Sequence, residues 1–195
     1  MQGKNKTAIA RVFNKFILSL LIFCFPHSAF AEFIDVPSDH PYAKGINALQ
    51  TQGTVEGHQK EDGRYFFPSQ EINRAESLKL LLLSSQTQIS RDITSPFVDV
   101  TPYDWFFPFV YTASKKDIVK GFPDGTFKPG NQVILAEFLK MLITSFNVPI
   151  PELKDGEPWY APYFVASEAL NITLDDKTPT KNVTRGEAAA MIFRI

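Results

Sequence analysis

The chain has 195 residues, with 20 Lys and Arg against 21 Asp and Glu, 18 Phe and a single Cys. Because no basic excess is available to neutralise phosphates, the composition argues against nucleic acid as a partner. The single cysteine, Cys24, lies in an N-terminal segment that we expect to be removed. The mature chain therefore cannot form disulfides and depends on a hydrophobic core.

The first 31 residues have the features of a secretory signal peptide. Four basic residues precede an apolar run at residues 16–25, and the segment ends in the small-x-small pattern of Ala29, Phe30 and Ala31. A run of this length is too short to cross a bilayer, which needs about 20 residues. A buried core helix is the alternative interpretation. We expect cleavage after Ala31, secretion, and no membrane span in the mature chain; the intact mass of the exported protein would test this.

After the signal segment, the chain repeats itself at an interval of about 60 residues. Four stretches of the first repeat recur in the second in the same order: FIDV as FVDV, TVEG as IVKG, EDGRYFFP as PDGTFKP, and INRAESLKLLL as VILAEFLKMLI. The loop before the phenylalanine is three residues longer in the first repeat. Self-similarity of this kind is typical of repeat architectures, in which each unit packs against its neighbours.

A third copy is degenerate but traceable. WYAPYFVASEALNI at residues 159–172 aligns with WFFPFVYTASKKDI at residues 105–118, and each holds a Pro three residues after its Trp. In the stretch that follows, the interval from Pro to Glu is the same in all three copies: Pro68 to Glu76, Pro129 to Glu137 and Pro179 to Glu187. The third copy lacks the Phe-x-Asp-Val start and the Asp-Gly turn, so we expect its connecting loop to differ.

Each copy predicts a helix, a turn-rich loop and a second helix. The first helices are predicted at about 41–52 and 105–116, and the second helices begin near Arg74, Leu135 and Arg185. NRAE at residues 73–76 and TRGE at residues 184–187 have the form of a capping box, whereas the second copy has Ile134 at the equivalent N-cap position. The strongly apolar second helices predict a shared central bundle.

The order of these motifs resembles the S-layer homology (SLH) domain, over residues 33–195. The resemblance implies a mainly α fold in which three helix–loop–helix repeats form a pseudo-threefold trefoil around a three-helix bundle, with short β-turn segments in the loops. Together with the signal peptide expected at 1–31, it implies SLH repeat 1 at 32–90, SLH repeat 2 at 91–150, and a degenerate SLH repeat 3 at 151–195.

The resemblance implies a non-enzymatic module that attaches non-covalently to an acidic cell-wall polysaccharide or a peptidoglycan-linked polymer at the cell surface. Its glycan-binding positions would be Arg74 and Arg185 at helix starts, and Trp105 and Trp159. An Arg there would add a fixed cation to free helix N–H groups, and a Trp would offer a flat face to a sugar ring.

Repeat 2 has Leu135 in place of the Arg, and repeat 1 has Pro41 in place of the Trp. Pairing across neighbouring repeats then leaves Arg74 with Trp105, which we favour, and pairing within a repeat leaves Arg185 with Trp159. We expect Arg74→Ala to weaken glycan binding while hardly changing thermal stability.

Plainer interpretations remain open for each of these residues. Without the resemblance, the two Arg residues would be solvated surface charges, and a Trp at a helix start is more often part of a core. Asp35 and Asp99 would cap turns, and the Phe residues beside them would be core or loop anchors. The alternative for the whole chain is a degenerate SLH bundle that acts as a secreted protein–protein adaptor or scaffold.

The sequence gives little support for catalysis, a metal or a cofactor. The mature chain has only His40 and His58, which lack the helical i, i+4 spacing of a metal pair, and it has no Cys. Asp175 and Asp176 are adjacent, and adjacent carboxylates rarely converge on one bond. We therefore predict no enzyme activity, no metal site and no cofactor.

Overall fold

A computed structural model describes residues 33–90, 92 and 94–195, and over this range the protein is mainly helical, as predicted. The predicted signal segment lies outside the described residues. The described part contains six helices and one small antiparallel hairpin. Their bounds are α1 Ala43–Thr51, β1 His58–Lys60, β2 Gly63–Tyr65, α2 Arg74–Ser84, α3 Phe107–Lys115, α4 Leu135–Ser145, α5 Ala161–Ala169 and α6 Arg185–Arg194.

The first helices of repeats 1 and 2 begin two residues later than the apolar pattern predicts. α3 begins at Phe107 and α5 at Ala161, and each has a Pro in its first turn. Pro is accepted there because its fixed φ suits the helix and the N–H it lacks would have no partner within the helix. Trp105 and Trp159 therefore lie in the turn before the helix and not in the helix itself.

The predicted starts of the second helices, and their predicted caps, are confirmed. Asn73 and Thr184 each accept the backbone N–H of the Glu three residues on, and that Glu accepts the N-cap N–H in return. Ile134 makes no side-chain cap at the start of α4. The capping box is a local pattern, so the sequence alone is enough to identify it.

A closed ring of backbone hydrogen bonds joins the residues that precede α2, α4 and α6. The N–H of Ile72 donates to Val183 O at 2.9 Å, that of Val183 to Val133 O at 2.9 Å, and that of Val133 to Ile72 O at 3.2 Å. Each of the three segments is thus bonded to both of the others. Removing any one of them leaves an unpaired backbone donor and an unpaired acceptor at the centre.

The first two N–H groups of each of these helices donate to backbone carbonyls of the next copy, in the direction opposite to that of the ring. α2 donates to the segment before α4, α4 to the segment before α6, and α6 to the segment before α2. The donor and acceptor pairs are Arg74 with Asn131, Ala75 with Pro129, Leu135 with Lys181, Ala136 with Pro179, Arg185 with Gln70, and Gly186 with Pro68. These groups would otherwise have no partner within a helix.

Helix packing is also cyclic. α1 packs on α6, α3 on α2 and α5 on α4, while α2 also contacts α4 and α6. The apolar faces predicted for the second helices form the core: Leu78, Leu81, Leu82, Phe138, Leu142 and Ala188 are fully buried. A first helix therefore covers the second helix of the preceding copy and not that of its own.

The two aspartates at the start of repeats 1 and 2 have the turn-capping role predicted for them. The Asp35 carboxylate accepts the N–H groups of Phe66 and Phe67, and the Asp99 carboxylate accepts those of Phe127 and Lys128. These bonds hold two consecutive amides of a loop that leads into a second helix. Phe33, Phe66 and Phe127 are buried, which confirms them as core anchors.

Candidate functional site

Arg74, the first residue of α2, extends into the second repeat. Its Nε donates to the backbone carbonyl of Phe127 at 3.0 Å, and its Nη1 lies 3.4 Å from Glu137 Oε1. The guanidinium carbon is 4.8 Å from the centre of the Phe127 ring. A charge-assisted hydrogen bond, an ion pair and a cation–π contact therefore fix this cation in one orientation.

Arg185, the first residue of α6, makes the equivalent contacts with the first repeat. Its Nε donates to the backbone carbonyl of Phe66 at 2.9 Å, its Nη1 lies 3.6 Å from Glu76 Oε1, and its guanidinium carbon is 4.9 Å from the centre of the Phe66 ring. The two arginines thus occupy matching environments in different parts of the chain.

The interpretation of these arginines as solvated surface charges is wrong. Their side chains are only 7% and 12% exposed, because each lies between a helix start and the phenylalanine of the next copy. Burial lowers the pKa of both guanidinium groups, and Glu137 and Glu76 respectively oppose that change. Both remain cations at neutral pH, since an Arg side chain does not deprotonate in a protein.

The sequence also led us to expect free N–H groups at the helix starts that would help to bind a ligand, and this expectation is wrong. The first two N–H groups of α2 and α6 donate to carbonyls of the next copy, and the third donates to the capping side chain of Asn73 or Thr184. The cation available at each helix start is therefore the arginine side chain alone.

Two surface grooves contain these arginines. Groove A has a cavity volume of about 250 Å³, and groove B one of about 220 Å³. The polar and aromatic residues that define groove A are Thr54, Glu56, His58, Phe66, Glu76, Lys79, Trp105 and Arg185. Those that define groove B are Arg74, Lys120, Phe122, Glu137, Lys140 and Trp159.

The grooves bring the predicted site residues together in pairs that the sequence did not predict. Arg185 shares groove A with Trp105, and Arg74 shares groove B with Trp159. Both proposed pairings, Arg74 with Trp105 and Arg185 with Trp159, are wrong. The reason is the order in which the copies contact one another. Arg74 of repeat 1 reaches into repeat 2, and Trp159 of repeat 3 completes that groove. Arg185 of repeat 3 reaches into repeat 1, and Trp105 of repeat 2 completes that groove.

The two tryptophans are surface residues, so their interpretation as core is wrong. Trp105 is 55% exposed and Trp159 is 48% exposed. The ammonium nitrogens of Lys79 and Lys140 each lie 5.8 Å from the ring centre of Trp105 and Trp159 respectively. Each groove thus places a flat indole face beside a lysine and a fixed arginine.

Lys79 and Lys140 line the two grooves and were not predicted from the sequence. Each lies three residues after the glutamate that pairs with the groove arginine, in the repeated stretches ESLK and EFLK. Residues three apart share a helix face. The repeated Glu-x-x-Lys spacing was therefore a signal that both side chains face the same groove.

The third equivalent position keeps its glutamate as Glu187, which is ion-paired with Lys181, but the other members of the polar set are replaced. Leu135 replaces the arginine, Leu174 replaces Glu56 or Lys120, Ala190 replaces the lysine, and Pro41 replaces the tryptophan. Leu135 and Leu174 are buried. These apolar side chains offer neither a cation nor a stacking face to a ligand.

Within the described ranges, no cluster of His, Cys, Asp and Glu could hold a metal ion. His40 lies against Tyr42, and His58 against Phe67, on separate parts of repeat 1. The Asp176 carboxylate accepts the N–H of Thr178 in a turn, and this hydrogen bonding lowers its pKa.

Comparison with known proteins identifies the central segment. Residues 96–139 match the family model of the S-layer homology domain. This segment is an S-layer homology domain. It includes Trp105 of groove A together with Lys120 and Glu137 of groove B, and so contributes to both grooves.

Similar proteins extend the resemblance over most of the chain. The middle cell wall protein of Brevibacillus brevis is 32% identical over 79% of this chain, and the S-layer protein sap of Bacillus anthracis is 28% identical over 83%. An uncharacterized cell wall amidase of Bacillus anthracis is 28% identical over 96%. The matched parts span 14%, 21% and 36% of the lengths of these relatives.

The SLH domain and these relatives support a secreted location, at the cell surface or cell wall. Among the residues that the structure describes, no helix is long and apolar enough to cross a membrane.

Proposed function

We propose that this chain is a non-enzymatic module that attaches non-covalently to a cell-wall polysaccharide or a peptidoglycan-linked polymer. The observation that carries the proposal is the repeated set of Arg, Lys and exposed Trp in grooves A and B. Fixed cations suit the carboxylates of an acidic glycan, and an exposed indole suits the apolar face of a sugar ring.

We further propose that the three copies form the pseudo-threefold trefoil of the SLH family around a bundle of α2, α4 and α6. The ring of hydrogen bonds through Ile72, Val133 and Val183 supports this arrangement, as does the cyclic packing of first helices on second helices. On this proposal a groove is a product of the complete assembly, because each draws side chains from three copies.

The test is cosedimentation of the mature chain with purified cell-wall sacculi. One sample keeps its peptidoglycan-linked polymers, a second has lost them to acid extraction, and a third is treated with protease. We expect retention on the first and third samples, loss on the second, and weaker retention at high salt. Equal retention before and after extraction would contradict the proposal. Retention that depends on wall proteins would instead support the adaptor alternative.

A further inference from the structure

Grooves A and B match at four of their charged or aromatic positions and differ at two, His58 against Phe122 and Glu56 against Lys120, of which only the second exchanges a full charge. Arg185, Glu76, Lys79 and Trp105 of groove A have their counterparts in Arg74, Glu137, Lys140 and Trp159 of groove B. The fifth position is Glu56 in TVEG and Lys120 in IVKG, which are equivalent stretches of the two repeats. The same place in the two grooves therefore carries opposite charges.

This exchange gives the grooves different net charges. In groove A, Arg185 and Lys79 balance Glu56 and Glu76, whereas groove B has three cations, Arg74, Lys120 and Lys140, and one anion, Glu137. Groove B therefore carries a surplus of two positive charges.

The surplus in groove B is not neutralised by the residues that line it, and one carboxylate outside the lining acts on the arginine of each groove, Asp99 on Arg74 and Asp35 on Arg185. In the described part of the chain, neither Lys120 nor Lys140 takes part in an ion pair, while Arg74 already pairs with Glu137. Lys140 is half-buried, and its pKa is lowered by burial and by the charges of Lys120 and Arg74. Like charges held together at a partly desolvated site favour the binding of an anion.

The residues around the grooves leave this contrast in place. Beside groove A, Arg64 donates to the backbone carbonyl of Glu56 and lies against the Phe33 ring, outside the groove lining. Beside groove B, Lys128 lies over the Phe122 ring and is paired with Asp124 at 3.1 Å.

From these observations we infer that groove B binds a carboxylate-bearing sugar while groove A binds an uncharged one, and that Lys120 and Glu56 set this difference. The inference rests on the proposed function and adds a division of labour between the two grooves. A glycan that carries both kinds of sugar would engage the module at two chemically distinct points.

The chain provides a separate reporter for each groove. It has two Trp residues, Trp105 in groove A and Trp159 in groove B, so ¹⁵N-labelled protein gives one indole N–H resonance per groove. We would titrate the mature chain with methyl glucuronide and with methyl glucoside. These probes differ by a carboxylate in place of a hydroxymethyl group.

We expect Trp159 to respond to the glucuronide at least about fivefold more strongly than to the glucoside, and Trp105 to lack this preference. In Glu56→Lys, Trp105 should gain the preference, and in Lys120→Glu, Trp159 should lose it. Both positions are exposed, so both variants should fold, which circular dichroism would check.

Equal responses of both resonances to both probes would overturn the inference, as would unchanged preferences in the two variants. No response of Trp159 to the glucuronide would also overturn it. If wild-type protein still binds sacculi in that case, the proposed function stands and only the division between grooves fails. Loss of binding to sacculi would mean that the proposed function itself fails.

Discussion

Arg185 donates its Nε hydrogen to the backbone carbonyl of Phe66 at 2.9 Å, although the two residues are 119 positions apart in the chain. The bond joins the last helix to the first loop, and the same guanidinium lines groove A. Arg74 makes the matching bond to Phe127 and lines groove B. Each groove arginine therefore fastens two copies of the repeat together and, on the proposed function, also offers a cation to the glycan.

Because of this double role, Arg74→Ala should lower stability as well as glycan binding, contrary to the expectation from sequence. Its buried bond to Phe127 O is charge-assisted, and loss of such a bond costs about 1.5–3 kcal/mol. Chemical denaturation would measure the change in the free energy of unfolding. Arg185→Ala should lose a similar amount.

Lys79→Ala is the matched control for the arginine variants. Lys79 lines groove A but is exposed and takes part in no ion pair among the described residues. It should weaken binding and leave the free energy of unfolding almost unchanged. Full stability of Arg74→Ala would show that the bond to Phe127 does not fasten the repeats.

The crossing of α1 and α6 predicts that Gly45→Ala destabilises the fold. A Cβ at Gly45 would lie 2.7 Å from the backbone oxygen of Ala189, and a backbone atom cannot move aside cheaply. Overpacking of this kind costs about 1–3 kcal/mol. A lowered midpoint in a single unfolding transition would also indicate that the first and last repeats unfold together.

Gly130→Ala is the control for this crowding, because a Cβ at Gly130 would meet no atom within 4 Å. Its midpoint should stay near that of the wild type or rise slightly. Equal losses in the two variants would mean that close packing of α1 on α6 is not the cause.

The structural features that were predicted correctly from the sequence are local ones. The starts of α2, α4 and α6 and both capping boxes depend on residues within one turn, so a short stretch determines them. The pairing of Arg with Trp could not be predicted in this way. It depends on the cyclic order of the copies, which is fixed by the contacts among Ile72, Val133 and Val183 and not by any local pattern. The hairpin of repeat 1 was also missed, because its strands are only three residues long.

The Asp124 turn predicts a specific response to acid. Hydrogen bonds from Thr126, and from Lys128, lower the pKa of the Asp124 carboxyl to about 2 from its usual 3.8. A pKa that folding depresses contributes stability that is present above 3.8 and is lost as the pH falls through about 2. Wild type should therefore exceed Asp124→Asn in thermal midpoint at pH 5, and the difference should shrink towards pH 2.

A carboxyl-detected NMR titration would measure the Asp124 pKa directly. Thr126→Ala removes the hydroxyl donor and keeps the backbone donor, so it should raise that pKa part of the way towards its usual value. A midpoint near 4 for Asp124 in the wild type would contradict the turn described here.

The central claim is that grooves A and B bind cell-wall glycan, and it is tested most directly by calorimetry with oligosaccharides released from purified cell-wall polysaccharide. Trp105→Ala and Trp159→Ala should each remove one binding site, and the double variant should bind no oligosaccharide. Tyr103→Ala, which is almost fully exposed and lines neither groove, should bind as the wild type does. If the double variant is folded and binds with wild-type affinity, the grooves are not the glycan sites.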